Sequence, residues 1–514
     1  MIGSALTRRW MLGALGAVAA TGAGAQQMPR SNARARWDLI VVGAGTAGLP
    51  AALFAARRGA RVLLLEKAPQ LGGTLWFSGG QMSAAGTRLQ KARGIVDSPA
   101  EHLADILRIS RGTADVDVAR LAVENAAATV NWLESAGLEI APQYPVRATG
   151  HEPYGRARVC AATDRGLAIL RVIEKELGAA PPSLHVQTGT DVLEAILDRR
   201  GDVVGVVATD AAGVRRDYRA PHVVLASGGY MANAALFQEL NGVPKYRAAG
   251  WPHNTGAGIG IGLAAGGWVR GRENYLCDVG SIPADLAIPS PEFARSLHHP
   301  ERRPPWEIAV NVAGRRFVAE DEPSVDARER SLLAQPDHRY WLVFDDEILR
   351  SAPALVRGAP PGEVRDWTTD ELAGAFNEAP AFTAAPTLEA LAKRAGIDAD
   401  GLVATVRDYN AGQAAGRDAL GRQHLPRPIR RPPYYAIRHQ GGTLIAMAGL
   451  AVDAKLRVTR PDGKPIEGLY AAGELLGNGT LSGKAFCAGM MVTPALALGR
   501  WLGGNLPLGR PRGA

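Results

Sequence analysis

The sequence predicts an α/β protein with a parallel sheet, a β-meander and an inserted α+β domain. Three stretches of the 514-residue chain support this prediction. Residues 37–66 have the order strand, glycine turn, helix and strand, which is typical of a βαβ unit. Residues 184–229 alternate apolar and polar positions between Gly and Asp turns, as a meander does. Residues 275–390 carry frequent prolines and mixed charges, which sets them apart as a separate domain.

The strongest signal is the glycine turn that follows the apolar run at residues 38–42. Gly43 permits a tight turn, Gly45 lets a pyrophosphate approach the backbone, and Gly48 lets the next helix pack closely on the strand. A helix and a second strand follow this turn. Glu66 ends the second strand, where a carboxylate can bind an adenosine ribose. The order of these elements predicts a dinucleotide-binding domain.

Composition excludes several classes of protein. Hydrophobic residues make up 46% of the chain and glycines number 61, as in a large α/β protein with many tight turns. The net charge of +8 is distributed among many arginines, so we expect no nucleic-acid-binding stripe. Cys160, Cys277 and Cys487 form no C-x-x-C pair, which excludes a zinc ribbon and covalently attached c-type haem within this chain. His298 and His299 lack further ligands, and no metal site is predicted.

The N-terminus has the pattern of a twin-arginine export signal. Arg8 and Arg9 precede a weakly apolar run from Leu12 to Ala20, and small residues end the segment at Ala25. The apolar run is too short to span a bilayer. We therefore expect export to the periplasm, cleavage after Ala25, and a mature protein without a stable membrane span.

These changes in pattern also predict the domain order. We expect a signal peptide (1–25), a first part of the dinucleotide-binding domain (36–274), an inserted capping domain (275–390) and a second part of the dinucleotide-binding domain (391–510). Amphipathic spacing predicts core-facing helices between residues 100 and 137. In the inserted domain, clear strands are predicted only at 308–312 and 340–344.

Several short motifs occur along the chain, beginning with the first glycine turn. With Glu66, they are GAGTAGL, GGT plus SGG, ASGG, NTGAGIG, AVNVAGRRFVAED and IEGLYAAGE. In this order they resemble the fumarate reductase and succinate dehydrogenase flavoprotein family (FAD-binding 2 type), in the branch of 3-ketosteroid and cyclic-ketone dehydrogenases. The resemblance implies a Rossmann-like FAD-binding domain with a cap, and a substrate held between flavin and cap. It also implies an FAD-dependent oxidoreductase that acts on a CH–CH bond beside a carbonyl or carboxylate.

The resemblance implies FAD contacts in the loops that carry these motifs. We expect them at Gly43, Gly45, Thr46, Ala47, Gly48, Glu66, Lys67, Gly73, Thr74, Ser78, Gly79, Gly80, Val192, Ser227, Gly228, Gly229, Thr255, Gly258, Gly473, Glu474, Thr493, Pro494 and Leu496. Glu474 is placed to bind ribityl hydroxyls, and a helix capped by Thr493 would stabilise the reduced flavin. No histidine lies between Leu75 and Gly80, where the respiratory branch attaches FAD covalently. We therefore expect non-covalent FAD.

Arg303 is the candidate proton donor that the resemblance implies. In fumarate reductases an arginine eight positions before the asparagine of the VN-x-x-G-x-RF segment delivers the proton, and counting back from Asn311 gives Arg303. Because arginine is very basic, this role requires a desolvated ion-pair relay. Arg303 is either this acid or a clamp for a carboxylate or carbonyl. The alternative is a surface arginine.

Other substrate positions depart from the fumarate pattern. Ile445 begins the segment that matches HTMGG, and Phe486 stands where the substrate arginine is expected, so a doubly charged substrate would lack two of its partners. The segment around Phe486 is more similar to the Y-P-G-x-G motif of ketosteroid-type dehydrogenases, with phenylalanine in place of tyrosine. Enolate stabilisation is then expected from Gly489, Lys484 or Tyr154. The apolar side chains of this segment predict a pocket for an alicyclic or aromatic-type ketone or mono-acid, formed by Phe486, Met490 and Met491.

Three functions remain open from the sequence. The first is α,β-desaturation of an apolar cyclic ketone or mono-acid, and the second is periplasmic reduction of an unsaturated acid with Arg303 as donor. The third is a flavoprotein that only relays electrons. The expected partners are a small-molecule substrate and a separate electron carrier such as a cytochrome. The loop at residues 151–156 is rich in proton-handling side chains, but taken alone it is best interpreted as a surface loop.

Overall fold

The computed structural model describes residues 37–148, 150–297, 300, 303–358 and 364–508. The helices are α1 (Gly48–Arg57), α2 (Arg88–Ala92), α3 (Pro99–Ile109), α4 (Val116–Ser135), α5 (Arg165–Gly178), α6 (Ala234–Asn241), α7 (Ala257–Ala264), α8 (Val325–Leu333), α9 (Asp346–Ser351), α10 (Thr369–Ala375), α11 (Leu388–Ala395), α12 (Ala399–Ala414), α13 (Asn478–Ser482) and α14 (Val492–Asn505). The strands are β1 (Leu39–Val42), β2 (Val62–Leu65), β3 (Met82–Ser83), β4 (Val159–Cys160), β5 (Leu184–Gln187), β6 (Asp191–Leu197), β7 (Val203–Thr209), β8 (Arg215–Arg219), β9 (Val223–Leu225), β10 (Val269–Arg270), β11 (Ser281–Pro283), β12 (Glu292–Ser296), β13 (Ile308–Val310), β14 (Arg339–Asp345), β15 (Val356–Gly358), β16 (Arg365–Asp366), β17 (Phe382–Ala385), β18 (Tyr434–Gln440), β19 (Gly449–Leu450), β20 (Arg457–Thr459) and β21 (Pro465–Ala471).

The central sheet has six strands in the order β20-β21-β9-β1-β2-β5. The strands from β21 to β5 run parallel, and β20 joins antiparallel at one edge. β1, β2 and β9 are buried along their whole length, which is why they are continuous apolar runs in the sequence. The predicted βαβ unit is confirmed.

Helices α1 and α14 pack together beside this sheet. The approach is close because α14 presents glycines to α1. A Cβ on Gly499 would lie 2.1 Å from the carbonyl oxygen of Ala47, and one on Gly503 would lie 2.3 Å from that of Ala51. The C-terminal helix is therefore fitted against the helix that follows the first glycine turn.

The predicted meander is only partly correct. β6, β7 and β8 form a three-stranded antiparallel sheet, as expected. β5 and β9, at the two ends of the predicted stretch, instead join the central parallel sheet. The difference has a physical reason: β9 is fully buried, whereas β8 alternates exposed and half-buried residues and suits a surface sheet.

The inserted segment contains more strands than the sequence predicted. Among the described residues between 275 and 390 lie seven strands, β11 to β17, and they contribute to the sheets β11-β12-β15-β16 and β13-β14-β18-β17. Three of them, β12, β15 and β16, are short and carry charges, as in Glu292–Ser296, so they lack the apolar alternation of a typical strand. β18 pairs with both β14 and β17, so the second sheet includes residues beyond 390. The boundaries at 275 and 390 stay a prediction.

The helices expected between residues 100 and 137 are confirmed as α3 and α4. Ser98 caps α3 and Asp115 caps α4 by accepting hydrogen bonds from first-turn amides. None of the described helices is both long enough and apolar enough to cross a membrane. The predicted export signal and the pair His298 and His299 lie outside the described residues.

Candidate functional site

The predicted cofactor motifs meet at the carboxyl edge of the central sheet. Gly43 follows β1, Glu66 follows β2, Ser227 lies just after β9, and Gly473 lies just after β21. Backbone hydrogen bonds continue the strand pairing into these loops, as between the Gly43 amide and the Leu65 carbonyl at 2.7 Å. The carboxyl ends of parallel strands form the crevice in which ligands of open α/β sheets bind.

The first glycine turn has the geometry expected of a pyrophosphate cradle. Gly43 has φ +100°, and a Cβ there would lie 2.6 Å from the Ala226 carbonyl oxygen. A Cβ on Gly48 would lie 1.8 Å from the Gly43 carbonyl oxygen, whereas one on Gly45 would meet nothing within 4 Å. Ala47 precedes α1 without a side-chain cap, so amides at this helix start are open to a ligand. Gly45 is thus the glycine that faces free space.

Glu66 holds the glycine turn in place. Its Oε2 accepts a hydrogen bond from the Ala44 amide at 2.6 Å, and its Oε1 accepts one from the Ala68 amide at 2.7 Å. A carboxylate has further lone pairs on both oxygens, so ribose hydroxyls can still bind there. The neighbouring Lys67 is exposed and forms an ion pair with Asp191, 2.7 Å away, at the start of β6. Its role toward FAD stays a prediction.

The GGT and SGG segment lies over the first turn. A Cβ on Gly73 would lie 3.3 Å from the Cα of Gly45, so the two loops touch. The Thr74 carbonyl accepts from the Ser78 amide, and Ser78 Oγ accepts from the Gly80 amide at 3.0 Å. Gly79 lies between them and is exposed. A Cβ on Gly80 would lie 2.4 Å from the Arg165 backbone, which explains the second glycine pair.

Glu474 connects two of the other motifs. Its Oε1 accepts from the Ala446 amide at 3.1 Å, and its Oε2 accepts from Asn254 Nδ2 at 3.0 Å. Gly229 packs on it so closely that a Cβ would lie 2.9 Å from the Glu474 Cδ. Burial raises the pKa of the Glu474 carboxyl. Its carboxylate fastens the surrounding loops, and its predicted contact with the ribityl chain remains a prediction.

Ser227 offers an unused polar group at the same edge. Its buried Oγ has no hydrogen-bond partner among the described residues. A Cβ on Gly258, at the start of α7, would lie 2.2 Å from this oxygen. Gly228, with φ +80°, faces the Asn254 side chain, and Thr255 lies two residues before α7. Val192 is buried in β6, with its side chain away from solvent.

The start of α14 differs from the prediction. The helix begins at Val492 after Met491, so Thr493 lies in the first turn and is not the cap. The Thr493 hydroxyl instead accepts from the Ser83 amide at 2.8 Å. Pro494 is tolerated in the first turn because its missing amide would have no partner within the helix. No side chain caps this end, but the Thr493 amide donates to the Gly489 carbonyl, so few first-turn amides remain for a ligand; Leu496 is buried behind them.

Phe486 lies in a small apolar cluster of its own. Leu276, Met447 and Phe486 form this cluster, which we call the Phe486 cluster, and Ile445 and Leu333 pack against it. It is separate from the main core of the protein, as a pocket lining would be. Two further pocket candidates, Met490 and Met491, are buried and half-buried respectively.

Gly489 and Tyr154 follow Phe486 in sequence or lie on the same loop as His151, and both are held by contacts within the protein. Tyr154 packs against the ring of His102 and the guanidinium of Arg158. Gly489 has φ +76°, and a Cβ there would lie 2.5 Å from the Ser83 amide nitrogen. Tyr154 is fully buried and its hydroxyl donates to the Ala488 carbonyl at 2.8 Å. Burial raises the pKa of Tyr154 well above its usual value. In this arrangement Tyr154 supports the Gly489 loop and does not present a free hydroxyl.

Lys484 borders the same loop through its backbone. Its amide donates to Thr113 Oγ1 at 2.9 Å, and its carbonyl accepts from Arg330 Nη2 at 2.6 Å. The side chain is half-buried and forms no ion pair with the described residues. Its predicted role in enolate stabilisation stays a prediction.

Arg303 is a buried arginine, so its interpretation as a surface residue is wrong. The side chain is 5% exposed and forms two parallel hydrogen bonds to Glu307, at 2.9 and 3.0 Å. Burial would raise the pKa of Glu307, but the adjacent Arg303 charge outweighs it and lowers the pKa. The pair lines a small cavity of about 40 Å³ in the inserted segment, together with Leu332 and Tyr340. This is a desolvated ion pair of the kind that a proton relay requires.

One pair of side chains was missed by the sequence reasoning. His151, expected in a surface loop, lies against Phe486 with ring centroids 5.3 Å apart. Its Nδ1 is 3.7 Å from Oε1 of the buried Glu329 on α8. A signal existed in the sequence, because Glu329 lies one helical turn from both Val325 and Leu333 and so interrupts the apolar face of α8.

The site geometry fits FAD, and the comparison with known sequences agrees. The open Gly45, the unpartnered Ser227 hydroxyl and the uncapped start of α1 lie at one sheet edge, where a long dinucleotide needs donors. The family described as FAD binding domain matches residues 38–488. The chain therefore belongs to this FAD-binding family, and its relatives are oxidoreductases that act on CH–CH bonds.

Two relatives differ in the reaction for which they are named. The chain is 28% identical over 483 residues to a probable fumarate reductase of Shewanella frigidimarina (strain NCIMB 400), with 91% of this chain and 74% of the relative covered. It is 26% identical over 569 aligned positions to the 4-oxocyclohexanecarboxylate 2-dehydrogenase of Sinomonas cyclohexanicum, with 93% and 94% covered.

A solved structure shares the fold. The 3-ketosteroid delta1-dehydrogenase of Sterolibacterium denitrificans superimposes with a TM-score of 0.69 at 22% identity, with 91% of this chain and 98% of that chain covered. The chain therefore shares the α/β fold of that structure, with its parallel sheet. This protein is an FAD-dependent enzyme that acts on CH–CH bonds.

Proposed function

We propose that the protein desaturates an apolar cyclic ketone or mono-acid between the carbons α and β to the carbonyl. The observation that carries this proposal is the Phe486 cluster, which is buried and apolar where a dicarboxylate would need cationic partners. Leaving two carboxylates unpaired in such a pocket costs several kcal/mol of binding. The relative from Sinomonas cyclohexanicum is named for a dehydrogenation of a cyclic keto acid, which supports the same reaction class.

The proposed reaction divides its tasks between cofactor and protein. Bound FAD supplies the hydride acceptor. The Phe486 cluster holds the apolar ring, and the backbone at Gly489 polarises the carbonyl. A protein group removes the proton next to the carbonyl. We also propose that FAD is bound without a covalent bond, because no histidine lies between Leu75 and Gly80.

Reduction of an unsaturated acid is the second candidate, because Arg303 is buried in an ion pair beside a cavity. In this case Arg303 donates the proton and a separate carrier such as a cytochrome supplies electrons. Export by the twin-arginine route to the periplasm, proposed from residues 1–25, fits either reaction. It brings a folded, cofactor-loaded enzyme to its electron partner.

Product analysis separates the two candidates. The FAD-loaded enzyme is incubated with an artificial electron acceptor and a panel of cyclic ketones and keto acids, and the products are analysed by mass spectrometry. Desaturation predicts a product lighter by two hydrogens with the double bond next to the carbonyl. Products only from unsaturated acids and a reduced donor would support the reductase instead. If neither substrate class reacts while a cytochrome still reduces the flavin, the protein only relays electrons.

A further inference from the structure

The loop from His151 to Tyr154 is fastened at both ends beside the Phe486 cluster. Ser324, the cap of α8, donates its hydroxyl to Glu152 Oε2 at 2.9 Å. At the other end, the Tyr154 hydroxyl donates to the Ala488 carbonyl at 2.8 Å. This loop, which we call the His151 loop, therefore joins α8 to the segment that carries Phe486. Its position is set by protein contacts on two sides.

His151 lies between these two attachments. Its ring centroid is 5.3 Å from that of Phe486, and its side chain is 32% exposed. A substrate ring packed on Phe486 therefore lies beside an imidazole. The imidazole also has access to solvent, through which a proton can leave the site.

Glu329 reaches the same place from α8. Its side chain is 4% exposed, and His151 is the one ion-pair partner within 4 Å among the described residues. Leu333 lies four residues later on the same helix face and packs against the Phe486 cluster. Glu329 and Leu333 therefore point toward the same side of α8. Burying an ionised carboxylate costs free energy unless a positive charge lies beside it, and a protonated His151 would supply that charge.

The charges around the pair agree with this assignment. Burial raises the pKa of Glu329, and the nearby His151 opposes this effect. Asp278 and Asp326 raise it further, while Arg328 on the same helix and Glu152 on the loop are the other charged groups that face the pair. Asp326 is itself neutralised by Arg111 and Arg330. Asp278 is likewise paired with Arg247 and Arg295, so Glu329 is the acidic group of this set that faces His151 without an arginine in ion-pair distance among the described residues.

We propose that His151 is the catalytic residue that transfers the proton of the CH–CH reaction, and that Glu329 is its positioning residue. The inference rests on the proposed function. In desaturation, the C–H bond next to the carbonyl gives its proton to the His151 imidazole. The electron pair of that bond becomes the second bond of the C=C product as the neighbouring carbon releases a hydride to FAD. The imidazolium is stabilised by the Glu329 carboxylate until the proton leaves to solvent.

The other candidate groups are less suited to this step. The Tyr154 hydroxyl is engaged by the Ala488 carbonyl, and both terminal nitrogens of Arg303 are engaged by Glu307. His151 is the group whose ring meets the Phe486 cluster and whose second nitrogen is not engaged by Glu329. The sequence alone favoured a surface loop here because the contact with α8 joins residues far apart in the chain.

Two variants and one control test the proposal. His151→Gln removes the proton acceptor at a half-exposed position, and Glu329→Gln keeps the shape of the partner but removes its charge. His222→Gln is the control, because His222 lies at the amino end of β9, on the edge opposite to the cofactor loops. Flavin content and the thermal midpoint are measured first, so that a misfolded variant is recognised.

The proton step is measured apart from the redox step. Enzyme whose flavin is already reduced is mixed with a saturated ketone in D2O, and exchange of the proton next to the carbonyl is followed by mass spectrometry. Because reduced flavin accepts no hydride, this exchange reports proton transfer alone. We expect His151→Gln to slow exchange and single-turnover flavin reduction by about 10²-fold or more, within the range for general acid–base catalysis. We expect His222→Gln to leave both rates unchanged.

Glu329→Gln has a separate expected signature. The rate should fall and the pH midpoint of flavin reduction should move, which a merely structural residue would not cause. The proposal is overturned if His151→Gln exchanges and reduces flavin within about threefold of the wild-type rate. A different outcome is that wild-type enzyme shows neither proton exchange nor flavin reduction with ketones, while its reduced flavin is reoxidised by an unsaturated acid. The proposed desaturation has then failed, and the same variants are compared in that direction, where slow reoxidation in His151→Gln supports the pair and normal reoxidation overturns it.

Discussion

At the scale of single residues, we propose that Phe486 decides which substrates the enzyme accepts. Its ring is buried against Leu276 and Met447, and it stands where fumarate-reducing members of the resembled family have an arginine. We predict that Phe486→Arg lowers kcat/KM for a neutral cyclic ketone by about 10²-fold, because the guanidinium would be buried without a partner. Phe486→Tyr should keep the turnover, since tyrosine occupies this place in ketosteroid-type enzymes. Steady-state kinetics on both variants check this, and equal losses in the two would contradict it.

The ion pair of Arg303 and Glu307 is predicted to matter for stability whichever reaction the enzyme catalyses. Glu307→Gln leaves the Arg303 charge buried without a full partner, which costs about 3–5 kcal/mol. The control is Glu371→Gln, because Glu371 pairs with Arg365 at the surface, where ion pairs contribute little. Urea unfolding followed by circular dichroism should show a lower midpoint only for Glu307→Gln. Equal midpoints for the two variants would contradict the prediction, because they would mean that water solvates the Arg303 charge when its partner is lost.

At the scale of elements, the first glycine turn separates cofactor binding from folding. A Cβ on Gly45 meets no atom within 4 Å, so Gly45→Ala should fold with an unchanged midpoint in the absence of FAD. It should bind FAD at least about tenfold more weakly, because the methyl group occupies the space for the pyrophosphate. Gly48→Ala is the matched comparison: its Cβ would lie 1.8 Å from the Gly43 carbonyl oxygen, so the fold itself should be destabilised. Flavin fluorescence titration and thermal unfolding measure the two effects.

The elements also show how far the sequence alone could lead. The βαβ unit was predictable because strand, turn, helix and acid are contiguous in the chain and each has a local signature. In the inserted segment β13 and β14 were predicted and are present, but the other strands were not predicted. Two of these, β12 and β16, carry charges and form strands by pairing with β15. The prediction that Thr493 caps α14 was wrong for a similar reason. The Thr493 hydroxyl accepts a hydrogen bond from the amide of Ser83, which lies 410 residues away in the sequence.

The candidate site was predictable to the same extent. Its glycines were found because a turn at a strand end has few alternatives, as Gly43 illustrates. Glu329 could have been noticed because it interrupts the apolar face of α8, but its contact with His151 could not be found, because nothing in the loop sequence says which helix will cover it. Arg303 was found by counting along a motif, but its burial depends on Glu307 and on packing that the motif does not contain.

At the scale of the whole molecule, buried histidines predict how stability depends on pH. Burial lowers the pKa of both His102 and His439 from the usual 6.5 to about 3. The unfolded chain therefore binds more protons than the folded one between these values, and stability falls as the pH falls from about 6.5 toward about 3. Unfolding midpoints at a series of pH values measure this decline. His102→Gln and His439→Gln should each make it shallower, and an unchanged slope in both would contradict the account.

The central claim, that the enzyme removes hydrogen from an apolar ketone, is tested most directly by the flavin itself. The FAD-loaded protein is kept free of oxygen, and its flavin absorbance is followed while saturated cyclic ketones are added. Our account predicts bleaching of the oxidised flavin band by at least one ketone, with formation of the conjugated enone. No bleaching by any ketone, together with reoxidation of the reduced enzyme only by unsaturated acids, would contradict it and establish the reductase.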